Sequence, residues 1–147
     1  MNLNVLKTLA DLARAQSTAA ATALAKEIAA LHQGEEKVNL LQNYLDDYRV
    51  TLQEKMLRGL QVSELINSQN FIQQIELAIT QQQQSVIHLD HQVSLAKKHW
   101  QECERKLMTF ETLTKRSQAK AALIEARIDQ KNTDEFASRK YSIQGAR

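Results

Sequence analysis

Four histidines and one cysteine are the residues with which this sequence could bind a metal ion: His32, His88, His91, His99 and Cys103. His88 and His91 are three residues apart, so on a helix both rings share one face and a weak surface site is geometrically possible. A zinc site needs more ligands than this pair, and Cys103 does not join them. A single cysteine cannot form an intrachain disulfide, which is typical of a reducing compartment. We therefore predict no metal and no cofactor.

Carboxylates that could act as a catalytic pair occur only as neighbours, at Glu35-Glu36 and Asp46-Asp47. Adjacent residues on a helix do not face one another, so these pairs are solvated charges rather than an acid and a base. The sequence also lacks a glycine-rich phosphate loop, a nucleophile elbow and a kinase-like motif. We predict no catalytic residues, no small-molecule substrate and no enzymatic activity.

The composition indicates which elements hold these side chains. The 147 residues include no proline, three glycines and seven aromatic residues, while 43% are hydrophobic and 24% are charged. Proline and glycine supply the backbone geometries that tight turns need, so an all-β fold is excluded and an α/β fold nearly so. The hydrophobic and charged fractions are normal for a folded protein. We predict an all-α protein made of a few long helices.

Charge is distributed unevenly along the chain, although the net charge is only +2. Residues 1–96 carry 7 Lys/Arg and 10 Asp/Glu, whereas residues 97–147 carry 12 and 7. The basic third could meet an acidic protein surface, a membrane surface or RNA, or it could be a solvated helix. The small net charge argues against nucleic acid as a partner. The N-terminus lacks a signal-peptide pattern, and no apolar run is long enough to span a membrane, so we predict a cytoplasmic protein with at most peripheral membrane association.

Two series of apolar residues recur with alternating spacings of three and four, the a and d positions of a coiled coil. The first series runs from Leu3 to Lys55, with exceptions at Glu27, Gly34 and Lys55 itself, and Ile28 and Met56 offer an apolar neighbour to Glu27 and Lys55. The second runs from Ile72 to Ile128 and includes Cys103, which we expect to be a small buried residue. A period of 3.5 residues over more than seven heptads predicts coiled-coil helices.

The segment between the two apolar series predicts where the first helix ends and the second begins. Gly59 suits the end of a helix because it tolerates a left-handed backbone, and Ser63 or Ser68 could cap the next helix. We predict a single coiled-coil domain over residues 1–147, with helix 1 at about 3–57, a turn at about 58–68, helix 2 at about 69–136 and a frayed tail at 137–147. A short connection makes the helices an antiparallel hairpin, with Leu3 opposite about residue 123 and the rest of helix 2 overhanging.

An apolar stripe near the turn is wider than two paired helices need. Tyr48 and Ile75 belong to the a and d positions, but Tyr44 and Phe71 lie beside them at helical spacing. Aromatic residues at the margin of an otherwise aliphatic coiled coil are typical of a partner-binding patch. The alternative is that they only shield the buried positions.

Several segments spread over essentially the whole chain, including residues outside the a and d positions, form a recognisable pattern: Leu41, Tyr44 and Tyr48-Arg49; residues 66–72; Glu76 and residues 78–81; Trp100; residues 118–123; and residues 128–131 and 134–137. In these segments the chain resembles the FliJ family of the bacterial flagellar type III export apparatus. The resemblance implies an antiparallel hairpin like the central stalk of a rotary ATPase. It also implies a protein without catalytic residues that is cytoplasmic and peripherally associated with the inner membrane at the flagellar base.

The resemblance further implies three kinds of partner. The protein would enter and stimulate the ring of the flagellar export ATPase (FliI), contact the membrane export gate protein (FlhA) and handle export chaperones. The implied gate surface consists of six residues, Leu41, Tyr44, Tyr48, Phe71, Ile75 and Ala78. Lys37 and Gln82 are left out because family members often carry a different polar residue there. By analogy with the rotary stalk, the ring contact would use Arg127, Lys131, Arg139 and Lys140.

A rival hypothesis follows from the sequence without the resemblance. A structural or scaffolding coiled coil would use the wide stripe near the turn to pair two hairpins into a four-helix dimer. Nucleic-acid binding by the basic C-terminal segment is a third and weaker hypothesis, and it predicts an affinity that falls steeply with salt.

Overall fold

The computed structural model describes residues 2–145 and places almost all of them in two α-helices. Helix α1 comprises Leu3–Arg58 and helix α2 comprises Val62–Gly145, with 56 and 84 residues respectively. The described residues contain no strand. The two helices pack against each other as a hairpin, which confirms the predicted all-α class.

Local hydrogen bonds define where the helices begin and end. The side-chain Oδ1 of Asn2 accepts a hydrogen bond from the N–H of Asn4 at 3.1 Å and so caps the start of α1. Gly59 follows the end of α1 with a φ of 101°, and its N–H donates to the Met56 carbonyl at 3.3 Å. This left-handed residue ends the helix as predicted. The first backbone bond of α2 runs from the N–H of Leu65 to the carbonyl of Gln61 at 3.1 Å.

The connection is shorter than the sequence predicts, because α2 begins at Val62 and not near Gln69. Ser63 and Ser68 therefore lie inside α2, and neither is the capping residue. With no proline or glycine between residues 60 and 70, nothing stops the helix from starting directly after the turn. At the other end, α2 continues through Gly145 and not to about residue 136. The last two residues of the predicted frayed tail, 146 and 147, lie outside the described residues.

Residues 19–101 form one compact unit, built from the two helices on either side of the connection. Its core is a cluster of Leu45, Ile75 and Ile79, against which Leu41 and Ile72 pack. Along this unit the buried and half-buried positions follow the predicted spacing of three and four.

The three-and-four spacing of buried positions continues even where the residue at that position is not an apolar side chain. Gly34 is buried and Glu27 is half-buried, whereas Ile28 is exposed. The apolar neighbours Ile28 and Met56 are both exposed, and Lys55 is exposed as well. At position 27, moving burial to Ile28 would turn the helix by about 100° and break the register. Gly34 instead allows α2 to come close: its carbonyl accepts a hydrogen bond from Gln82 Nε2 at 3.4 Å.

The second compact unit combines the N-terminal residues up to Thr18 with the chain from Glu102 onwards. Leu6, Ala10 and Ala13 of α1 are buried here, and so is Cys103 of α2, as the sequence predicts. The buried hydroxyl of Ser17 donates a hydrogen bond to the Glu104 carboxylate. Most of these side chains are small, so the helices are held at close range by many weak contacts.

Burial ends at Ser117, and every described side chain from Gln118 to Gly145 is exposed. We call residues 118–145 the overhang. It begins earlier than predicted, since a shorter connection moves the start of α1 opposite an earlier part of α2. Exposed apolar residues continue along it, among them Ile124, Ile128 and Phe136.

Candidate partner-binding surfaces

Three aromatic side chains meet across the two helices of the 19–101 unit. The ring centroid of Phe71 lies 5.0 Å from that of Tyr48 and 6.3 Å from that of Tyr44. The Tyr44 and Phe71 rings are nearly perpendicular, at 80°, which is the favourable edge-to-face arrangement. We call these three residues the aromatic cluster.

The sequence places the cluster by simple helical spacing. Tyr44 and Tyr48 are four residues apart on α1, so their side chains lie on one face, one turn apart. Phe71 comes from α2, nine residues after its start. Leu45, the residue after Tyr44, and Ile75, one turn after Phe71, belong to the buried core. The rings contact one another across the two helices, so the cluster is a pre-formed surface.

The six residues predicted for the gate contact differ in accessibility. Ile75 is only 7% exposed, and Leu41 is half-buried and packs against the core, so neither offers much surface to a partner. Tyr48 and Ala78 are half-buried. Tyr44 is 51% exposed and Phe71 38%. The part that a partner could touch is therefore Tyr44 and Phe71, with Tyr48 and Ala78 at its edge.

The other flank of the same core is ionic. The guanidinium of Arg49 pairs with the carboxylate of Glu76 across the two helices, and both side chains are about half exposed. This contact was not predicted, because it depends on which residues of α2 face α1. An exposed ion pair of this kind contributes at most about 1 kcal/mol, so it orients the helices more than it stabilises them.

The four residues predicted for the ring contact all lie on the exposed overhang. Arg127 and Lys131 are one turn apart and line a shallow depression together with Asp134 and Glu135. Arg139 and Lys140 follow further along. Residues 118–145 carry five Lys/Arg and four Asp/Glu, a balance of +1. The overhang is thus less basic than the C-terminal third as a whole, and its exposed apolar residues are the more unusual feature.

The predicted weak metal pair does not gain further ligands from the fold. Among residues 2–145, no group of three or more His, Cys, Asp or Glu side chains is arranged to hold a metal ion. His88 and His91 are both exposed on α2. Within the same residues, neither helix combines the length and apolar character needed to cross a membrane.

The sequence did not predict that apolar side chains are exposed at the connection between the helices. Leu57 and Val62, on either side of the connection, are 89% and 72% exposed. The two apolar residues beside Gly59 are visible in the sequence, but apolar residues are more often buried than exposed, so only the structure shows that these two are uncovered.

The geometry defines a class: a helical hairpin protein with an exposed aromatic cluster beside its core and an uncovered helical overhang. Comparison with known proteins makes this specific. Residues 2–146 match the family model described as "Flagellar FliJ protein". The chain is 38% identical over 134 residues to the flagellar FliJ protein of Escherichia coli K12, and 39% identical over 134 residues to that of Salmonella typhi. In both comparisons the match covers 91% of each chain.

The chain belongs to the family of flagellar FliJ proteins. It is accordingly a component of the flagellar export apparatus, and the resemblance stated from the sequence is confirmed.

Proposed function

We propose that this protein is a non-enzymatic stalk and adaptor of the flagellar export apparatus. It enters and stimulates the ring of the export ATPase, contacts the membrane export gate protein and handles export chaperones. In this proposal it is cytoplasmic and peripherally associated with the inner membrane at the flagellar base. The observation that carries the proposal is the exposed aromatic cluster, formed across both helices of a hairpin that belongs to a flagellar export family.

The gate contact is supported by the composition and setting of the aromatic cluster. Tyr and Phe are enriched at protein interfaces, and aromatic side chains bury a large area with few rotatable bonds. Tyr44 and Phe71 are exposed but their rings already contact each other across the helices, so little conformational freedom is lost on binding. Arg49 and Glu76 on the opposite flank already satisfy one another, which leaves the aromatic side as the face for a partner.

Replacing Tyr44 and Phe71 with alanine tests the gate contact. We expect binding to the purified gate protein to weaken by at least about thirtyfold, because truncating two central aromatic residues removes about 2 kcal/mol or more. Tyr141→Ala is the matched control, as Tyr141 is exposed but lies on the overhang. Circular dichroism should show nearly unchanged helicity in all variants. A large loss of helicity would mean that the cluster shields the core instead.

The ring contact is supported by the overhang. A single helix is marginal in water without a partner for its apolar face, and residues 118–145 have none within the described chain. Arg127 and Lys131 flank Ile128 on this helix and would meet acidic residues of a partner. The overhang therefore combines apolar and cationic side chains that an enclosing ring could cover.

Measuring the turnover of the export ATPase with and without this protein tests the ring contact. The full-length chain should increase turnover, and a chain lacking residues 124–147 should not. Every described residue in the deleted part is exposed, so the deletion leaves the packed helices intact. Lys97→Ser with Lys98→Ser removes two exposed cations elsewhere on α2 and should keep the stimulation. Absence of stimulation by the full-length chain would refute the stalk.

Chaperone handling is the least localised part of the proposal, since it follows from family membership alone. Direct binding between the purified protein and purified export chaperones is the corresponding test. Retention of chaperones by the full-length chain is expected, and failure to retain any of them would remove this role while leaving the other two untouched.

A scaffolding role through dimerisation is the second candidate, and the exposed aromatic cluster favours it as well. Two hairpins could cover Tyr44 and Phe71 by forming a four-helix bundle. Sedimentation analysis distinguishes the two: the stalk predicts an elongated monomer, and the scaffold predicts a compact dimer whose fraction rises with concentration and falls in Tyr44→Ala.

A further inference from the structure

The connection between the helices concentrates uncovered apolar side chains. Among the large apolar residues of the described chain, Leu57 has the greatest exposed fraction, 89%, and Val62 at the start of α2 is 72% exposed. Met56 and Ile66 are exposed too. Single exposed apolar residues need no explanation, but four within eleven positions at one end of a hairpin form a patch. We call residues 55–66 the turn end.

Cationic and hydrogen-bonding groups accompany this patch. Lys55 and Arg58 occupy the last turn of α1 on either side of Leu57, and no acidic residue occurs from Lys55 to Ser63. Lys55 and Arg58 also line a surface depression with Asn67 and Ser68, in which Glu64 is the one carboxylate. An ammonium, a guanidinium, an amide and a hydroxyl are the donors that bind a phosphodiester.

The exposed apolar side chains and the cationic groups together indicate which kind of partner binds the turn end. We propose that the turn end binds the surface of an anionic phospholipid bilayer, with Leu57 and Val62 inserted among the acyl chains and Lys55 and Arg58 at the phosphates. A lipid surface presents apolar and phosphate groups within a few ångströms of each other, which matches this arrangement. Neither described helix is able to cross the bilayer, so the association is peripheral.

The turn end is also suited to the bilayer by its backbone. Gly59 adopts a φ of 101° and has nothing within 4 Å of where a side chain would start, so the backbone of the connection is open to an approaching surface. Leu57 and Val62 lie two residues before it and three residues after it, and both are exposed. This contact adds a direct lipid interaction to the peripheral location proposed above, and it does not depend on the gate or the ATPase ring.

Sedimentation with lipid vesicles tests the proposal on the full-length chain. The probe is a vesicle of phosphatidylcholine with about one third phosphatidylglycerol, compared with phosphatidylcholine alone. We expect binding to the anionic vesicles to be about thirtyfold stronger, and to fall about thirtyfold in Lys55→Ser with Arg58→Ser. Leu57→Ser with Val62→Ser should weaken binding by at least about tenfold, because the inserted apolar groups are lost.

Matched controls separate the turn end from general attraction to a basic chain. Ile87→Ser removes an apolar residue with 70% exposure, and Lys97→Ser with Lys98→Ser removes two exposed cations, both away from the turn. These variants should bind the anionic vesicles as the parent does, with equal helicity.

Two results would overturn the proposal. The first is equal binding to both kinds of vesicle, or equal losses in the turn-end and control variants. The second is unchanged vesicle binding by the turn-end variants together with weakened binding to the gate protein, which would make the turn end a protein contact. Because the vesicles contain no export protein, a negative result leaves the proposed gate and ring contacts untouched.

Discussion

Gly34 sets how closely the two helices approach, and replacing it with alanine tests this directly. A Cβ built on Gly34 would lie 2.9 Å from Leu89 Cδ1 and 3.3 Å from Val86 Cγ2. Ordinary contacts between carbon atoms are about 3.5–4.0 Å. The new methyl group therefore forces the end of the Leu89 side chain to move, while Gln82, which donates to the Gly34 carbonyl, remains at an ordinary distance of 3.7 Å.

Two opposing contributions of similar size determine the result. Alanine in a helix interior is favoured over glycine by about 1 kcal/mol, because glycine loses more backbone entropy on folding. Moving Leu89 away from its preferred rotamer costs about 0.5–1.5 kcal/mol. We expect Gly34→Ala to change the free energy of unfolding by less than about 0.5 kcal/mol in the parent protein.

A double-mutant cycle separates the two contributions. In a Leu89→Ala background the obstructing methyl group is absent, so Gly34→Ala should stabilise the protein by about 1 kcal/mol. The coupling free energy between positions 34 and 89 is then about 1 kcal/mol. Urea unfolding followed by circular dichroism gives all four values, provided that the four proteins share one slope with denaturant.

Equal stabilisation by Gly34→Ala in both backgrounds would refute the close approach, since the clash with Leu89 would then be absent. A destabilisation of more than about 3 kcal/mol in the parent would also contradict the reasoning, because it would mean that the helix backbones and not one side chain must shift.

Three further predictions concern the turn, the ion pair and the overhang. Gly59→Ala should lower the free energy of unfolding by about 1–2 kcal/mol through backbone strain alone, since no atom lies within 4 Å of the new Cβ; a neutral effect in urea unfolding would contradict the left-handed backbone. Glu76→Gln should cost less than about 1 kcal/mol at low salt and still less at high salt, measured by the same method; a salt-independent loss would mean that the pair with Arg49 is not the cause. Deleting residues 124–147 should leave the thermal midpoint nearly unchanged while reducing total helicity; a large drop in the midpoint would show that the overhang is packed.

The two helices were predictable because the three-and-four spacing extends over most of both. The beginning of α2 was not predictable, because Ser63 and Ser68 both resemble capping residues. In the structure the helix begins earlier, with a hydrogen bond from the N–H of Leu65 to the carbonyl of Gln61. This error has a large effect on pairing: placing the turn near residue 63 puts Leu3 opposite about residue 123, whereas burial in the structure ends at Ser117.

The candidate surfaces were predictable only where they do not depend on which residues of the two helices lie opposite one another. Tyr44 and Tyr48 lie on one helix, so their relation follows from helical spacing alone. The pairing of Arg49 with Glu76 depends on the register between helices, which the turn length fixes. The close approach at Gly34 likewise requires knowing which α2 residues face it. Burial of a polar position such as Glu27 could not be read from its residue type.

The unbroken spacing of buried positions also constrains how such a chain can evolve. Deleting one residue between Leu3 and Leu52 would rotate the remainder of α1 by about 100° and turn its buried face outward. Length changes in the paired part are therefore tolerated in steps of whole heptads, matched on both helices. From Gln118 to Gly145 no register exists, so insertions and deletions of any size are compatible with the fold. Variation in chain length among relatives should accordingly concentrate in the overhang.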